Sequence, residues 1–210
     1  MKNIAKIFKN LKEADLPQTE FVKFMEDIKD PFIVLIGCIL SLRTNDKTTY
    51  PATMRMLKLG KTPKDFLDVN LEDLEKAIYP VGFYKNKAKQ ILEISRELYE
   101  KYDSKVPNTI EGLLKFKGVG RKTANLVLAK GFGLPAICVD VHVHRISNRM
   151  GLVKTKNPEE TEFELKKNLP LKYWIDSNTF FVTFGQNVCK PIRPMCSSCS
   201  VKSFCDFYKS

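Results

Sequence analysis

Leu113-Leu114-Lys115-Phe116-Lys117-Gly118-Val119-Gly120-Arg121-Lys122-Thr123-Ala124-Asn125 is the stretch that decides the fold. An apolar helix end runs into Gly-Val-Gly, and a second apolar helix starts at once with a lysine in its first turn. The pattern predicts a helix, a hairpin and a helix. Gly118 and Gly120 permit positive φ and a close approach of backbone N–H groups to an anion, and the new helix adds the positive end of its dipole. A phosphate fits such a turn; a tight connection without a ligand fits it too. Lys122 falls where the helix dipole and burial both disfavour an ammonium, and a neutral amine is a nucleophile that forms Schiff bases with sugar carbonyl carbons. A solvated surface lysine is the plain alternative.

Outward from the hairpin the chain reads as helices. Asn86 to Tyr102 carries Ala88, Ile91, Leu92, Leu98 and Tyr99 on one face and charges on the other. Asn108 with Glu111 is a capping pair for the helix entering the hairpin, and after Thr123 an apolar helix runs to about Lys130. Upstream, Ile4, Ile7, Phe8 and Leu11 have helical spacing, and a second helix lies around Phe21 to Ile28. Phe32 to Leu40 is apolar on all sides; it reads as a buried helix because nothing nearby supplies a partner strand. A helix with Met54, Met56 and Leu57 follows Leu42-Arg43-Thr44-Asn45-Asp46, with Pro51 predicting a kink or a late start. Thr62-Pro63-Lys64-Asp65 is a helix-start signal, Leu71, Leu74 and Ile78 mark a further helix, and Pro80-Val81-Gly82-Phe83 ends it. Gly131-Phe132-Gly133-Leu134-Pro135 is the strongest boundary signal. Downstream, Asn157-Pro158-Glu159-Glu160 opens a helix, and Trp174 to Val188 reads as a buried one. The fold class is all-α, with about ten helices.

The 35 basic residues outnumber the 24 acidic ones, giving a formal charge of +11. That balance suits a polyanionic partner, nucleic acid or an anionic membrane surface. The longest apolar run is too short to span a bilayer and the polar N-terminus has no signal-peptide core, so a cytoplasmic, nucleoid-associated protein is expected. Of six cysteines, Cys38 and Cys138 read as small core residues. Cys189, Cys196, Cys199 and Cys205 have the spacing C-x6-C-x2-C-x5-C, and four thiolates in so short a span can encircle one metal centre. Zinc and an iron–sulfur cluster are both open on spacing alone, with disulfides less suited to a reducing compartment. His142 and His144 form an H-x-H pair with no third ligand near them in sequence.

These motifs resemble the helix-hairpin-helix DNA glycosylase superfamily, specifically the endonuclease III family. The resemblance is carried by Gly118-Val119-Gly120-Arg121-Lys122-Thr123-Ala124-Asn125, by Val139-Asp140-Val141-His142-Val143-His144-Arg145, and by the four C-terminal cysteines. It covers essentially the whole chain. It implies that Lys122 is the Schiff-base nucleophile, that Asp140 is the essential carboxylate, and that the four cysteines hold a [4Fe–4S] cluster. The period-two alternation of Val139 to His144 reads in isolation as a short strand; the resemblance makes Asp140 the start of a helix instead. Lys117 departs from the family, which usually has proline there; the hairpin is less rigid on entry and gains a cation.

The resemblance further implies a two-lobed fold: residues 22–130 as a helical domain ending in the hairpin, residues 1–21 plus 131–210 as a second lobe carrying the cluster loop (189–205), and a cleft between them with Lys122 and Asp140. Arg43 matches a position, often glutamine, offered to the gap left by an extruded base, and Phe83 matches an apolar wedge; a core aromatic is the alternative for Phe83. Lys117, Gly118, Gly120 and Arg121 of the hairpin, His142 and His144 around the Asp140 cap, and Lys190, Arg193 and Lys202 of the cysteine loop complete the expected DNA contacts. The implied activity is a monomeric bifunctional DNA glycosylase and AP lyase of base excision repair, acting on oxidised pyrimidines or abasic sites in double-stranded DNA, with no membrane partner. A monofunctional mismatch glycosylase and a non-enzymatic helix-hairpin-helix DNA-binding module are the alternatives.

Overall fold

The computed structural model describes residues 3–209 and contains no strand among them. Its helices are α1 (Ile4–Glu13), α2 (Glu20–Asp27), α3 (Pro31–Ser41), α4 (Asp46–Met56), α5 (Leu71–Ile78), α6 (Tyr84–Tyr102), α7 (Ile110–Leu113), α8 (Arg121–Leu126), α9 (Val141–Met150), α10 (Pro158–Asn168), α11 (Trp174–Asn187) and α12 (Asp206–Lys209). They form two compact units. One runs from Thr19 to Leu134; the other joins the residues up to Gln18 to those from Pro135 onward.

The unit from Thr19 to Leu134 is built on α3. Asp30 caps it, Oδ1 accepting from Phe32 N at 2.8 Å and Ile33 N at 3.0 Å, and Pro31 occupies the first helical position. Phe32 through Leu40 are all buried, because α4, α6, α8 and the π-turn Val127–Gly131 pack around α3. A helix apolar on every side is stable only when so surrounded, each fully buried Leu or Ile contributing roughly 1.5–3 kcal/mol. Lys130, 3 % exposed, is held beneath this layer by an ion pair to Glu26 of α2 at 2.5 Å.

Several expectations are corrected here. The Thr62–Asp65 signal yields one 3₁₀ turn, Asp65–Leu67. The start chemistry is present, with Asp65 Oδ2 accepting from Lys61 N and Thr62 N, bonds that hold its carboxyl below the ordinary range. Asp68, Val69 and Asn70 then stop propagation, being poor helix formers. The cap of α7 is Thr109, whose Oγ1 accepts from Gly112 N at 3.1 Å, one residue after the expected Asn108. Pro51 causes no late start: Asn45 caps α4 and Pro51 lies inside it on the exposed side, where water can serve the carbonyl it leaves unpaired. On α6 the buried face carries Ser95 and not Tyr99, which is 44 % exposed. Ser95 Oγ bonds Ile91 O at 2.8 Å and so hides no unsatisfied hydroxyl.

In the other unit, Ile7, Phe8 and Leu11 of α1 enter a core with Val143, Ile146 and Met150 of α9 and Phe181 and Phe184 of α11. Phe8 stacks on Tyr173 with centroids 4.4 Å apart and meets Phe180 and Phe181 edge-on. Cys189 and Cys199 pack against this same core, so the cysteine loop is an extension of it. Cys38 and Cys138 are buried core residues, one in each unit. No helix among the described residues is long and apolar enough to cross a membrane.

Candidate active site

The hairpin is anchored by its own apolar residues. Phe116 and Val119 are 1 % and 5 % exposed, and Val119 N donates to Phe116 O at 3.0 Å to close the turn. Gly118 has φ +77, and a Cβ there would lie 2.6 Å from the Gln90 amide nitrogen. That amide donates to Lys117 O at 2.9 Å, so a side chain of α6 braces the hairpin where the family proline is missing. Gly120 does not use positive φ: it has φ −97, and a Cβ there would meet nothing within 4 Å. It is the N-terminal flank of α8, and no side chain caps that helix. Of the two glycines that permit positive φ, only Gly118 uses it.

Lys122 sits in the first turn of α8, partly exposed. Its charge acts on the buried Cys38 thiol of α3. Burial pushes Cys38 up to about 12 and Lys122 pulls against the shift, so the thiol stays neutral beside the amine. Lys117, Gly118 and Gly120 are exposed around the turn, and Arg121 is partly exposed.

Asp140 caps α9 in the second unit. Its Oδ1 accepts from both His142 N and Val143 N at 2.9 Å, and neither bond uses Oδ2. The helix reading of this segment holds, and the alternation is broken in space: Val141 is 68 % exposed while Val143 is fully buried. His142 Nδ1 meets Arg145 Nη2 at 3.1 Å, and His144 Nδ1 meets Thr161 Oγ1 at 2.7 Å within a network with Asn148 and Thr155. Both imidazoles are therefore tied into the protein.

Arg145 and Arg149, one helical turn apart on α9, fasten the start of the cysteine loop. Arg145 Nη2 donates to Cys189 O at 2.9 Å; Arg149 donates to Lys190 O at 2.7 Å, Pro191 O at 2.9 Å and Cys189 Sγ at 3.5 Å. Cys189, Cys196, Cys199 and Cys205 all line one pocket, walled by Phe184, Val188 and Val201. None is in a disulfide. Among the described residues no three His, Cys, Asp or Glu side chains form a ready-made site for a metal ion. Burial raises the thiols of Cys199 and Cys205; backbone N–H groups oppose this, and the neighbouring cysteines add to it. Four thiols lining one pocket are a donor set that a metal centre would stabilise as thiolates by displacing their protons. Lys190, Arg193 and Lys202 are exposed on the same loop, Lys202 Nζ donating to Ser197 O at 2.8 Å.

Arg43 and Phe83 meet in the first unit. Phe83 is 61 % exposed, so it is not a core aromatic, and the Arg43 guanidinium lies 5.8 Å from its ring centroid. Gln90, Arg145, Arg149 and the buried Lys87 are the residues that sequence reasoning passed over. The i, i+4 spacing of the two arginines was the one signal available; a helical lysine or glutamine ordinarily marks a solvated face.

The model of the HhH-GPD superfamily of base excision DNA repair proteins matches residues 36–171, a span that includes Arg43, Phe83, the hairpin and Asp140. An endonuclease III of Thermotoga maritima is 51 % identical over 180 residues, covering 86 % of this chain and 84 % of that protein. Two solved structures, a non-covalent endonuclease III–DNA complex and a trapped endonuclease III–DNA covalent intermediate, each superpose with a TM-score of 0.84 at 34 % identity, covering 100 % of this chain and 98 % of theirs. With the hairpin lysine, the capping aspartate and the four-cysteine loop all in place on this fold, the chain belongs to the endonuclease III family of the HhH-GPD superfamily.

Proposed function

We infer that this protein is a bifunctional DNA glycosylase and AP lyase of base excision repair, acting on duplex DNA that carries a damaged base, an oxidised pyrimidine above all, or an abasic site. The observation that carries the reading is Lys122 in the first turn of α8, directly after a hairpin whose turn is braced from α6. The Lys122 amine attacks C1′ of the damaged nucleotide and the base departs with the electron pair of its glycosidic bond. The resulting aminal gives up its amine proton and breaks its C1′–O4′ bond, opening the sugar as an imine; the imine loses a proton from C2′, and the 3′ phosphate leaves by β-elimination. Asp140 is the carboxylate that stabilises positive charge on the sugar and manages protons at the amine. Arg43 and Phe83 fill the gap left by the extruded nucleotide, and the hairpin, His142, His144 and the cations of the cysteine loop contact the DNA around it. Borohydride reduction of the imine, which joins protein to DNA covalently, is the experiment that tests the assignment.

Cys189, Cys196, Cys199 and Cys205 would hold a [4Fe–4S] cluster, which when bound acts as a structural centre closing the loop. The fit rests on four reduced thiols around one pocket, on a segment that Arg145 and Arg149 already pin. Purified protein is expected to be yellow-brown with stoichiometric iron and sulfide, and Cys199→Ser to lose both and to melt at lower temperature, since metal binding is coupled to folding here. A colourless protein with one zinc per chain overturns the cluster.

Binding to undamaged duplex should weaken steeply with salt, with a log–log slope of about −0.9 per phosphate contacted. Lys117→Ala should make that slope shallower by about one contact and leave base preference unchanged, because a phosphate contact positions without reading sequence. Fluorescence anisotropy across a salt series measures both, and a slope near zero removes DNA as the principal ligand.

A further inference from the structure

Lys87 is a buried cation that the chemistry above leaves unused. It lies on α6, 5 % exposed, and its ammonium donates to Leu40 O at 2.8 Å, Leu42 O at 2.5 Å and Thr44 Oγ1 at 3.2 Å. Three donors meet three neutral acceptors. Burial lowers its pKa from 10.5 to about 8, so the ammonium persists at neutral pH and its bonds are charge-assisted.

Those acceptors share a location. Leu40 O belongs to the last turn of α3, where the helix dipole favours a cation, and Leu42 and Thr44 flank Arg43. Thr44 Oγ1 also accepts from Gly82 N at 3.1 Å, which ties the loop after α3 to the loop before α6. A Cβ on Gly82 would lie 3.0 Å from Arg43 O, so the two backbones are in contact. Out of this junction rise Arg43 and Phe83, with φ +53 and +59, both in the left-handed region that side-chain-bearing residues avoid. Two strained residues facing each other on exposed loops persist only when their surroundings hold them.

We propose that Lys87 is a positioning residue for opening the duplex: by holding the chain on both sides of Arg43 and, through Thr44, the Gly82 amide, it fixes the Arg43–Phe83 pair in the geometry that enters the base stack. The proposal rests on the reading of Arg43 and Phe83 as gap-filling residues. Lys87 itself touches no DNA.

The test measures affinity for a short duplex with one tetrahydrofuran abasic analogue against the same duplex without it. Phe83→Ala and Lys87→Met should each reduce that preference on the order of tenfold, since wedge insertion offsets the cost of unstacking. The double variant should lose no more than either single one, as expected of residues acting through one element. Lys87→Met should keep the salt dependence of binding to undamaged duplex, a readout that general loosening of the unit would move. Full preference in a folded Lys87→Met, or losses that add completely, overturns the proposal. Unchanged preference in both Phe83→Ala and Arg43→Ala overturns the gap-filling reading and the proposal with it. Where Lys87→Met does not fold by circular dichroism, Thr44→Val, which removes only the hydroxyl joining the loops, decides: reduced preference supports the proposal and full preference overturns it.

Discussion

Lys122→Gln is expected to abolish borohydride trapping and strand cleavage, each by more than about a thousandfold, the scale on which removing an activated nucleophile acts when it works as a unit with its neighbours. The fold should not suffer. Lys122 stands in the first turn of α8, the positive end of the helix, where a cation is disfavoured by roughly 0.3–1 kcal/mol, so a neutral amide of similar length removes an electrostatic cost. Cys38, the buried group its charge acts on, is an uncharged thiol and loses no ion-pair partner. Duplex affinity should fall by no more than one phosphate contact. The expected pattern is thus a variant that binds abasic duplex, melts no lower than the parent, and neither traps nor nicks. Efficient trapping by Lys122→Gln would show that another amine is the nucleophile; absence of trapping in the parent protein on every damaged duplex tried would end the lyase assignment.

The candidate site residues were legible because the roles proposed for them demand rare local patterns. A lysine two residues after Gly-Val-Gly and four cysteines within a short loop are uncommon patterns, and the all-round apolar run of α3 could only be a buried element. Local signals were weaker where a second local feature competes with them. Thr62–Asp65 has every feature of a helix start and delivers one 3₁₀ turn, because the residues after it do not propagate. The segment Val139–His144 alternates as a strand does, yet the side chain of Asp140 satisfies two backbone donors that only a helix start leaves open. Supporting residues were illegible for a different reason. Lys87 and Gln90 lie on a helix rich in lysine and glutamate, and nothing in their spacing distinguishes a lysine that binds three protein oxygens from one that binds water. Their partners come from other loops, so only the assembled fold exposes them.

Asp140→Asn should slow base release by on the order of 10²–10⁴-fold, the usual contribution of a positioned proton-transfer or charge-stabilising group, while leaving stability nearly unchanged. The separation follows from how the carboxylate is used. Oδ1 is committed to the amides of His142 and Val143, both at 2.9 Å, and an asparagine Oδ1 makes the same two bonds; Asn and Asp cap helices about equally well. What asparagine cannot supply is negative charge or proton-accepting capacity at the second oxygen. Asp140→Ala removes both functions, and should add to the same rate loss a destabilisation of about 1 kcal/mol from the missing cap. Because Val143 and Ile146 of α9 are fully buried, that fraying should also reach the core beneath the cysteine loop. Single-turnover base release on an oxidised-pyrimidine duplex, measured beside thermal melts of the parent and both variants, resolves the two effects. If Asp140→Asn released base at the parent rate, Asp140 would be a capping residue only and the carboxylate that stabilises the sugar would have to be sought elsewhere.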